Sequence, residues 1–349
     1  MSNSRTTAKA GAAGGPRPAE TTLLSGQAVP AHFGDPHAEA GAARVDATMF
    51  DRSDRALLRV EGADRQAWLH NLLTNDIKRL TPGQGCYAFA CDVRGRVQFD
   101  LNVLCDSDAL VLDSAADRRE LLHKWLDRYL LSERATIATE DSLGRIGLSG
   151  PRAVEIVRAI AGEAAAALAE FGHCELSGAS AGERLVRHDF AGSVGFELLV
   201  RDIGAWWERL AREHGVRPAG LIALDALRIE AGIPWYGREI DERTVAPESG
   251  QIGRAIVYDK GCYLGQEIVE RMRSFGNPAR RLARMRVQGD ADCDIPAPLT
   301  LNGTECGRLT SLSALGDGAT RAGLGFVRFA IAPGALLVLG ESGREVQLL

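Results

Sequence analysis

The sequence changes character at Gly289. Beyond it, short apolar runs alternate with Gly-rich turns and no helical period appears through Leu349, which predicts an all-β barrel or sandwich. Before it, from about Phe50, strand-like and helix-like stretches alternate, the pattern of α+β structure. One packing arrangement cannot serve both patterns, so at least two architectures share the chain. Its 349 residues leave room for two to three domains at ~150 residues each.

Composition narrows the class. Apolar residues make up 45% and charged residues 25%, so a wholly disordered or fibrous chain is excluded. No stretch approaches the ~18 consecutive apolar residues of a membrane helix. A net charge of -5 argues against a general polyanion binder, although it leaves room for local patches. The seven cysteines, at 86, 91, 105, 174, 262, 293 and 306, form no C-x-x-C pair. A self-contained zinc or iron–sulfur site is therefore not expected, and no metal is assigned. Free thiols in a reducing compartment fit this usage. Only Lys9, Lys78, Lys124 and Lys260 are lysines among 41 basic residues, so each ordered lysine is mildly informative.

Residues 1–45 are rich in Ala, Gly, Pro and Thr, lack an apolar period and read as a flexible tail. No apolar core of a secretory signal is present. The first 19 residues carry Arg5, Lys9 and Arg17 and no acid, as a mitochondrial transit peptide does. They show no amphipathic period, and Glu20, Asp35 and Glu39 follow. The reading favours a cytoplasmic protein.

In the body, Arg55–Val60 reads as a strand. Asp64 is expected to cap a helix burying Trp68, Leu69, Leu72 and Leu73. Thr81-Pro82-Gly83 marks a turn. Gln98–Val103 is a strand of period two: Phe99, Leu101 and Val103 take one face, Gln98, Asp100 and Asn102 the other. The second face is wholly hydrogen-bonding, so it meets water or a polar ligand. A second strand, Ala109–Leu112, follows. Ser114 and Asp117 suggest a capping box for a helix burying Leu121, Leu122, Trp125, Leu126, Tyr129 and Leu130. A second module starts near Arg145, with a helix after Pro151, strands at 183–188 and 196–200, and a helix capped by Asp202.

Three segments could carry chemistry. Gly220–Gly232 is a nearly apolar helix in which Asp225 and Arg228 share one side and Glu230 lies opposite. Arg228 either pairs with Asp225 to hold the helix or grips an anionic or carbonyl-bearing ligand. Lys260-Gly261-Cys262-Tyr263-Leu264-Gly265-Gln266-Glu267 places a thiol between two glycines, beside a cation and before a helix start. Those features lower a thiol's pKa, and the thiolate is the reactive form; the plainer role is a small core residue. Finally, Arg271, Arg273, Arg280, Arg281, Arg284 and Arg286 occur with no acid between them. They form either a solvated basic surface or an anion site for polycarboxylate or nucleic-acid phosphate. No Walker A loop, G-x-G-x-x-G, H-E-x-x-H or G-x-S-x-G is present.

KGCYLGQE resembles the signature K-G-C-Y-x-G-Q-E of the YgfZ family. Those folate-binding proteins are related to the glycine-cleavage T-protein (GcvT) and to mitochondrial proteins that help mature iron–sulfur enzymes. LLTNDIKRLTPGQGCYAFACDVRGRVQFDLNV resembles the T-protein stretch with T-N-D and P-G-x-x-x-Y. GLIALDALRIEAGIPWYG resembles its L-R-x-E-A-G helix, and RLTSLS and GLGFVR its C-terminal barrel. The resemblance runs from about residue 50 to 349.

It implies an α+β fold of three domains in a ring around an opening that holds tetrahydrofolate. A folate-binding domain would comprise 46–144 completed by 220–284, a middle α+β domain 145–219, and a β-barrel 285–349. It further implies a tetrahydrofolate-binding accessory factor that supports iron–sulfur cluster assembly or repair and, through radical enzymes that thiolate tRNA, tRNA modification. Asp100, Arg228 and Tyr263 would contact the folate. Cys262 would be the redox or cluster-contacting thiol, Lys260 would keep it ionised, and Gln266 and Glu267 would orient the turn. Arg271, Arg273, Arg280 and Arg281 would bind anions.

The chain departs from the T-protein in three places. Phe99-Asp100 stands where the T-protein has two acids, Ser193 where its folate loop has Glu, and Lys260-Gly261-Cys262-Tyr263 where it has K-G-D-F. On that ground a tetrahydrofolate-dependent aminomethyl- or methyltransferase is the alternative reading. An RNA-binding accessory using the arginine stripe on tRNA is a third.

Overall fold

A computed structural model describes residues 16–176 and 182–349. It combines α and β structure and ends in a closed barrel. Two sheets form the centre. A five-stranded sheet runs in the order Gly85–Cys91, Val97–Cys105, Ala109–Ala115, Arg55–Glu61, Thr136–Glu140. A six-stranded sheet runs His173–Glu175, Arg184–Arg187, Gly195–Val200, Gly144–Ser149, Thr48–Asp51, Arg217–Pro218. The strand at Thr48–Asp51 thus joins the middle sheet, although its position in the sequence suggested the first domain.

Alternation explains the layering. Along Val97–Cys105, Phe99, Leu101 and Val103 enter a core with Trp68, Leu69, Leu72 and Leu73 of the helix Arg65–Leu72 and its exit, and with Leu122, Trp125 and Leu126 of the helix Arg119–Arg128. The six-stranded sheet buries Ile146, Leu148, Phe196 and Leu198 under the helices Ala153–Ala161 and Ile203–His214, which supply Ile156, Val157, Trp207 and Leu210. The two sheets meet through Leu57, Leu104, Val111, Val186 and Leu199. The order is helix, sheet, sheet, helix, with strand faces turned inward toward each other.

Two expected caps take other forms. Asp64 stands at the helix N-cap but makes no capping bond; its carboxylate accepts from Arg134 N (2.9 Å) and Nε (3.1 Å) instead. Ser114 and Asp117 form no capping box, because residues 109–115 continue as strand and a short 3-10 turn, Ala116–Arg118, leads into the helix. Leu121 is correspondingly exposed. Asp202 does cap its helix, accepting from Ala205 N at 2.9 Å.

Residues 1–15 of the expected tail lie outside the described residues. The remainder is structured: strands Glu20–Leu24 and Gln27–His32 pair, and Asp35 caps the helix Pro36–Val45 by accepting from His37 N and Ala38 N. Ala40 and Ala43 pack against Ala223, Leu224 and Leu227 of the helix Leu221–Ala231. Glu39 accepts from Gly220 N at 2.9 Å. The helix buries alanines rather than large side chains, so it shows no strong apolar period.

The barrel closes in the order Arg280–Gln288, Thr320–Arg328, Thr304–Gly316, Ala297–Leu301, Leu336–Leu339, Arg344–Leu348, beginning nine residues before Gly289. Among the described residues no helix is long and apolar enough to cross a membrane.

Candidate functional site

The polar face of Val97–Cys105 is turned inward, away from the helices. Asp100 is half-buried there and accepts from the Tyr87 hydroxyl at 3.1 Å. Tyr87 is the one side chain among the described residues that donates to it. Among the described residues the Gln98 side chain makes only a long 3.4 Å contact, from Nε2 to Arg96 O. Burial pushes the Asp100 carboxyl above its ordinary range, against the pull of Arg55 and of the Tyr87 hydroxyl. Arg118 lies over Phe99 and Tyr236 and bonds Glu242 at 2.8 Å, which ties the loop after Trp235 to this wall. Phe99 itself is buried on the opposite face against Trp125. An acid at position 99 would point into that core, so the missing second acid takes nothing from the Asp100 face.

Next to Asp100 lies a buried ion network that the sequence reading missed. Arg55 Nε bonds Asp113 at 3.0 Å. Arg145 Nη1 bridges Asp113 (2.9 Å) on one sheet and Glu197 (3.1 Å) on the other. Arg52 joins Glu197 (3.0 Å) to Asp54 (3.0 Å), and His188 Nδ1 lies 3.2 Å from Glu197. Asn102, the third polar residue of the strand, donates to Asp113 at 2.7 Å. Burial alone would raise the Glu197 pKa, but Arg145, His188 and Arg52 outweigh it and hold it well below the usual carboxylate value. The sequence did carry a sign of this: Asp113 and Glu197 each interrupt an apolar strand, where a charge needs a partner.

The KGCYLGQE segment divides between two environments. The Lys260 ammonium is buried and donates to the carbonyls of His70 and Leu73 (2.6 Å), at the C-terminal end of the helix Arg65–Leu72. Burial lowers its pKa to about 8. Helix C-termini leave carbonyls unpaired, and a cation there fills both the hydrogen-bonding and the dipolar need. The ammonium therefore serves the helix end, whereas the sequence offered it the duty of ionising the Cys262 thiol. Cys262 is exposed, whereas Cys86, Cys91, Cys105 and Cys306 are buried.

Tyr263 is buried with its hydroxyl unpartnered. Its ring lies under Lys260 in a packed interior, which differs from the expected place on the folate wall. Gly265 takes φ +87°, and a Cβ there would come within 2.4 Å of Asp92 O, so the backbone approaches too closely for any side chain. Gln266 begins the helix Gln266–Phe275, and Glu267 is exposed on its first turn.

Arg228 has no exposed surface. Nε bonds Asp225 at 2.7 Å, Nη1 bonds Glu239 at 2.8 Å and Ile233 O at 3.2 Å, and Nη2 bonds Ser311 at 3.0 Å. Its guanidinium also stacks 4.4 Å from the Trp235 ring centroid. The residue fastens helix, loop and barrel together, whereas the sequence offered it as a folate contact. The arginine stripe is split as well. Arg271 and Arg273 are exposed on the helix Gln266–Phe275. Arg280 bonds Glu248 at 2.9 Å, and Arg281 bonds Ile331 O at 3.1 Å, on the first barrel strand.

The family model of the GCVT N-terminal domain matches residues 19–260. This chain belongs to that family. Family members similar to it include the aminomethyltransferase of Synechococcus sp. (strain CC9311), 31% identical over 303 residues, with 82% of this chain and 81% of that protein covered. The aminomethyltransferase of Methylococcus capsulatus is 32% identical over 271 residues, covering 75% and 73%. The crystal structure of glycine cleavage system aminomethyltransferase T from Bartonella henselae superposes with a TM-score of 0.83 at 22% identity, covering 97% of this chain and 93% of that one. The shared fold therefore extends over the barrel, beyond the residues the family model matches.

Proposed function

We propose that this chain binds tetrahydrofolate on the inward face of Val97–Cys105 and acts in one-carbon transfer of the aminomethyltransferase type. What supports the reading is Asp100: a half-buried carboxyl with one protein side-chain donor, on a wall held rigid by the Arg55–Asp113–Arg145–Glu197 network. The fit is chemical. A pterin presents N–H donors, and Asp100 and Gln98 offer acceptors not yet saturated by the protein. When bound, tetrahydrofolate supplies the nitrogen that takes up the one-carbon unit. Asp100 would accept hydrogen bonds from the ring, Tyr87 would hold that carboxyl in orientation, and Arg118 with Tyr236 would close one side. The names of the aminomethyltransferase relatives favour this reading over an accessory role.

A second reading is kept for one observation: Cys262 is an exposed thiol on a glycine-flanked turn within the YgfZ-like motif. It is a folate-binding factor that sustains iron–sulfur enzymes, including radical enzymes that modify tRNA. One experiment separates the two. Purified protein is given tetrahydrofolate and an aminomethylated lipoyl carrier. Release of ammonia with formation of methylenetetrahydrofolate, lost in Asp100→Asn, supports transfer. Folate binding without turnover, together with a deletion strain whose iron–sulfur enzymes recover with wild type but not with Cys262→Ser, supports the accessory role.

A further inference from the structure

The outer face of the barrel carries a groove of about 1040 Å³ between the loop 237–244 and the strands Arg280–Gln288, Thr304–Gly316 and Thr320–Arg328. Five arginines line it: Arg238, Arg243, Arg280, Arg308 and Arg328. In a chain of net charge -5 this is a local reversal. Three of the five are engaged: Arg238 with Asp225 at 3.0 Å, Arg243 with Asp241 at 2.5 Å, Arg280 with Glu248 at 2.9 Å. Arg308 and Arg328 are exposed and have no partner among the described residues.

Strand register sharpens the point. Arg280 stands directly opposite Arg328, and Leu282, Phe326 and Arg308 form the next row on the same face. Like charges placed directly across a ladder repel; Glu248 offsets Arg280, and Arg328 is left as the cation of the row that an anion could neutralise.

We propose that the groove binds an oligoglutamate chain, that is, several carboxylates carried on an amide backbone. Three features select this chemistry. The volume exceeds that of a compact ion and suits an extended ligand. Its lining is mixed: Glu305 is exposed, Asp241 bonds Arg243, and Glu239 is buried beneath. Amide N–H groups can donate to such acceptors, whereas a polyphosphate has only acceptors and would be repelled. Nucleic acid is disfavoured because the one ring in the groove, Phe326, is buried under the Arg280 guanidinium at 4.5 Å. No exposed aromatic platform is left for bases to stack on. The chain could come from the tail of a folate or from an acidic peptide. The groove is one loop away from Asp100, since Thr244 O accepts from Val97 N at 2.9 Å.

The test uses calorimetry on the full chain with free γ-linked pentaglutamate, free α-linked pentaglutamate, inorganic polyphosphate and tetrahydropteroylmonoglutamate. Pentaglutamate is expected to bind at low salt. The double variant Arg308→Gln/Arg328→Gln is expected to weaken it about tenfold, the scale of two screened ion pairs. Monoglutamate binding should be unchanged by that variant. A preference for the γ-linked chain assigns the groove to a folate tail, and equal affinities assign it to an acidic peptide. Absence of pentaglutamate binding, equal binding by wild type and the double variant, or stronger binding of polyphosphate overturns the proposal. Because the free chain lacks a pterin, failure of the folate reading leaves this result standing.

Discussion

Lys260 and Cys262, two residues apart, occupy opposite environments: the ammonium is sealed against the carbonyls of His70 and Leu73, and the thiol is in solvent. The motif that joins them in sequence therefore spans two environments, a buried cation at a helix end and an exposed thiol.

Lys260 predicts a pH-dependent stability. Its folded pKa of about 8 lies below that of a free lysine, ~10.4. Between those values the unfolded chain binds more protons than the folded one, so stability rises with pH across the window. Below about 8 both states are charged and the burial penalty is fully present. Lys260→Met removes the slope, lowers stability by roughly 1–3 kcal/mol through the unpaired carbonyls, and leaves Cys262 alkylation unchanged. Denaturant titrations at pH 7.5 and 10 on both proteins check it. A slope that persists in the variant would assign the titration elsewhere.

Cys262 is expected to alkylate first of the seven thiols at neutral pH. Exposure decides this: Cys174 and Cys293 are half-buried, the other four buried, and burial pushes Cys86 up to about 12. Mass-spectrometric mapping after brief iodoacetamide treatment reads the order directly. Equal labelling of Cys174 or Cys293 would remove the special standing of the turn.

Asp100→Asn keeps shape and loses charge. If the carboxylate accepts from the pterin, tetrahydrofolate affinity should fall by roughly 1.5–3 kcal/mol, the scale of a charge-assisted bond. Burial has raised the Asp100 pKa, so wild-type affinity should also decline on acidification sooner than an ordinary aspartate would cause. The Asn variant should show no such decline. A calorimetric pH series on both proteins contains each result, and identical curves would move the site away from this strand.

The strand bearing Asp100 was legible because alternation is a local property: Phe99, Leu101 and Val103 had to face a core whatever else the chain did. The helix Leu221–Ala231 was legible from its apolar run between Gly220 and Gly232, and the Asp225–Arg228 pair from its i, i+3 spacing. The remaining partners of Arg228 were not, because Glu239 is 11 residues away and Ser311 is 83. A buried arginine and a ligand-gripping arginine look alike until those distances close. The helix Pro36–Val45 stayed hidden because its core side is alanine, which carries little periodic signal. Lys260 misled for a different reason: sequence proximity to Cys262 suggested contact, and a helix end 190 residues earlier held its ammonium.

Arg228→Gln should therefore act on stability and not on the ligand. Removing the guanidinium leaves Glu239 buried without its cation, a change that typically costs about 3–5 kcal/mol. The folded fraction should still bind tetrahydrofolate as wild type does. Urea denaturation and calorimetry on the same preparation separate the two quantities. Normal stability with lost affinity would restore Arg228 to the binding site.

Glu197 predicts the acid limb of stability. Its folded pKa is depressed well below the ordinary value because Arg145, His188 and Arg52 outweigh the effect of burial. A depressed carboxyl contributes stability that is full above the unfolded pKa, near ~4.3, and is lost as pH falls through the folded pKa. The two sheets are joined by this network, so acid should loosen their packing and expose the Asp100 wall as it does so. Arg145→Gln would leave Asp113 and Glu197 short of a shared cation, lowering stability by about 3–5 kcal/mol at neutral pH. It should also flatten the decline between pH 5 and 3 relative to wild type. Thermal unfolding followed across that range on both proteins gives the comparison, and an unchanged acid slope in the variant would show that Arg145 does not set the Glu197 titration.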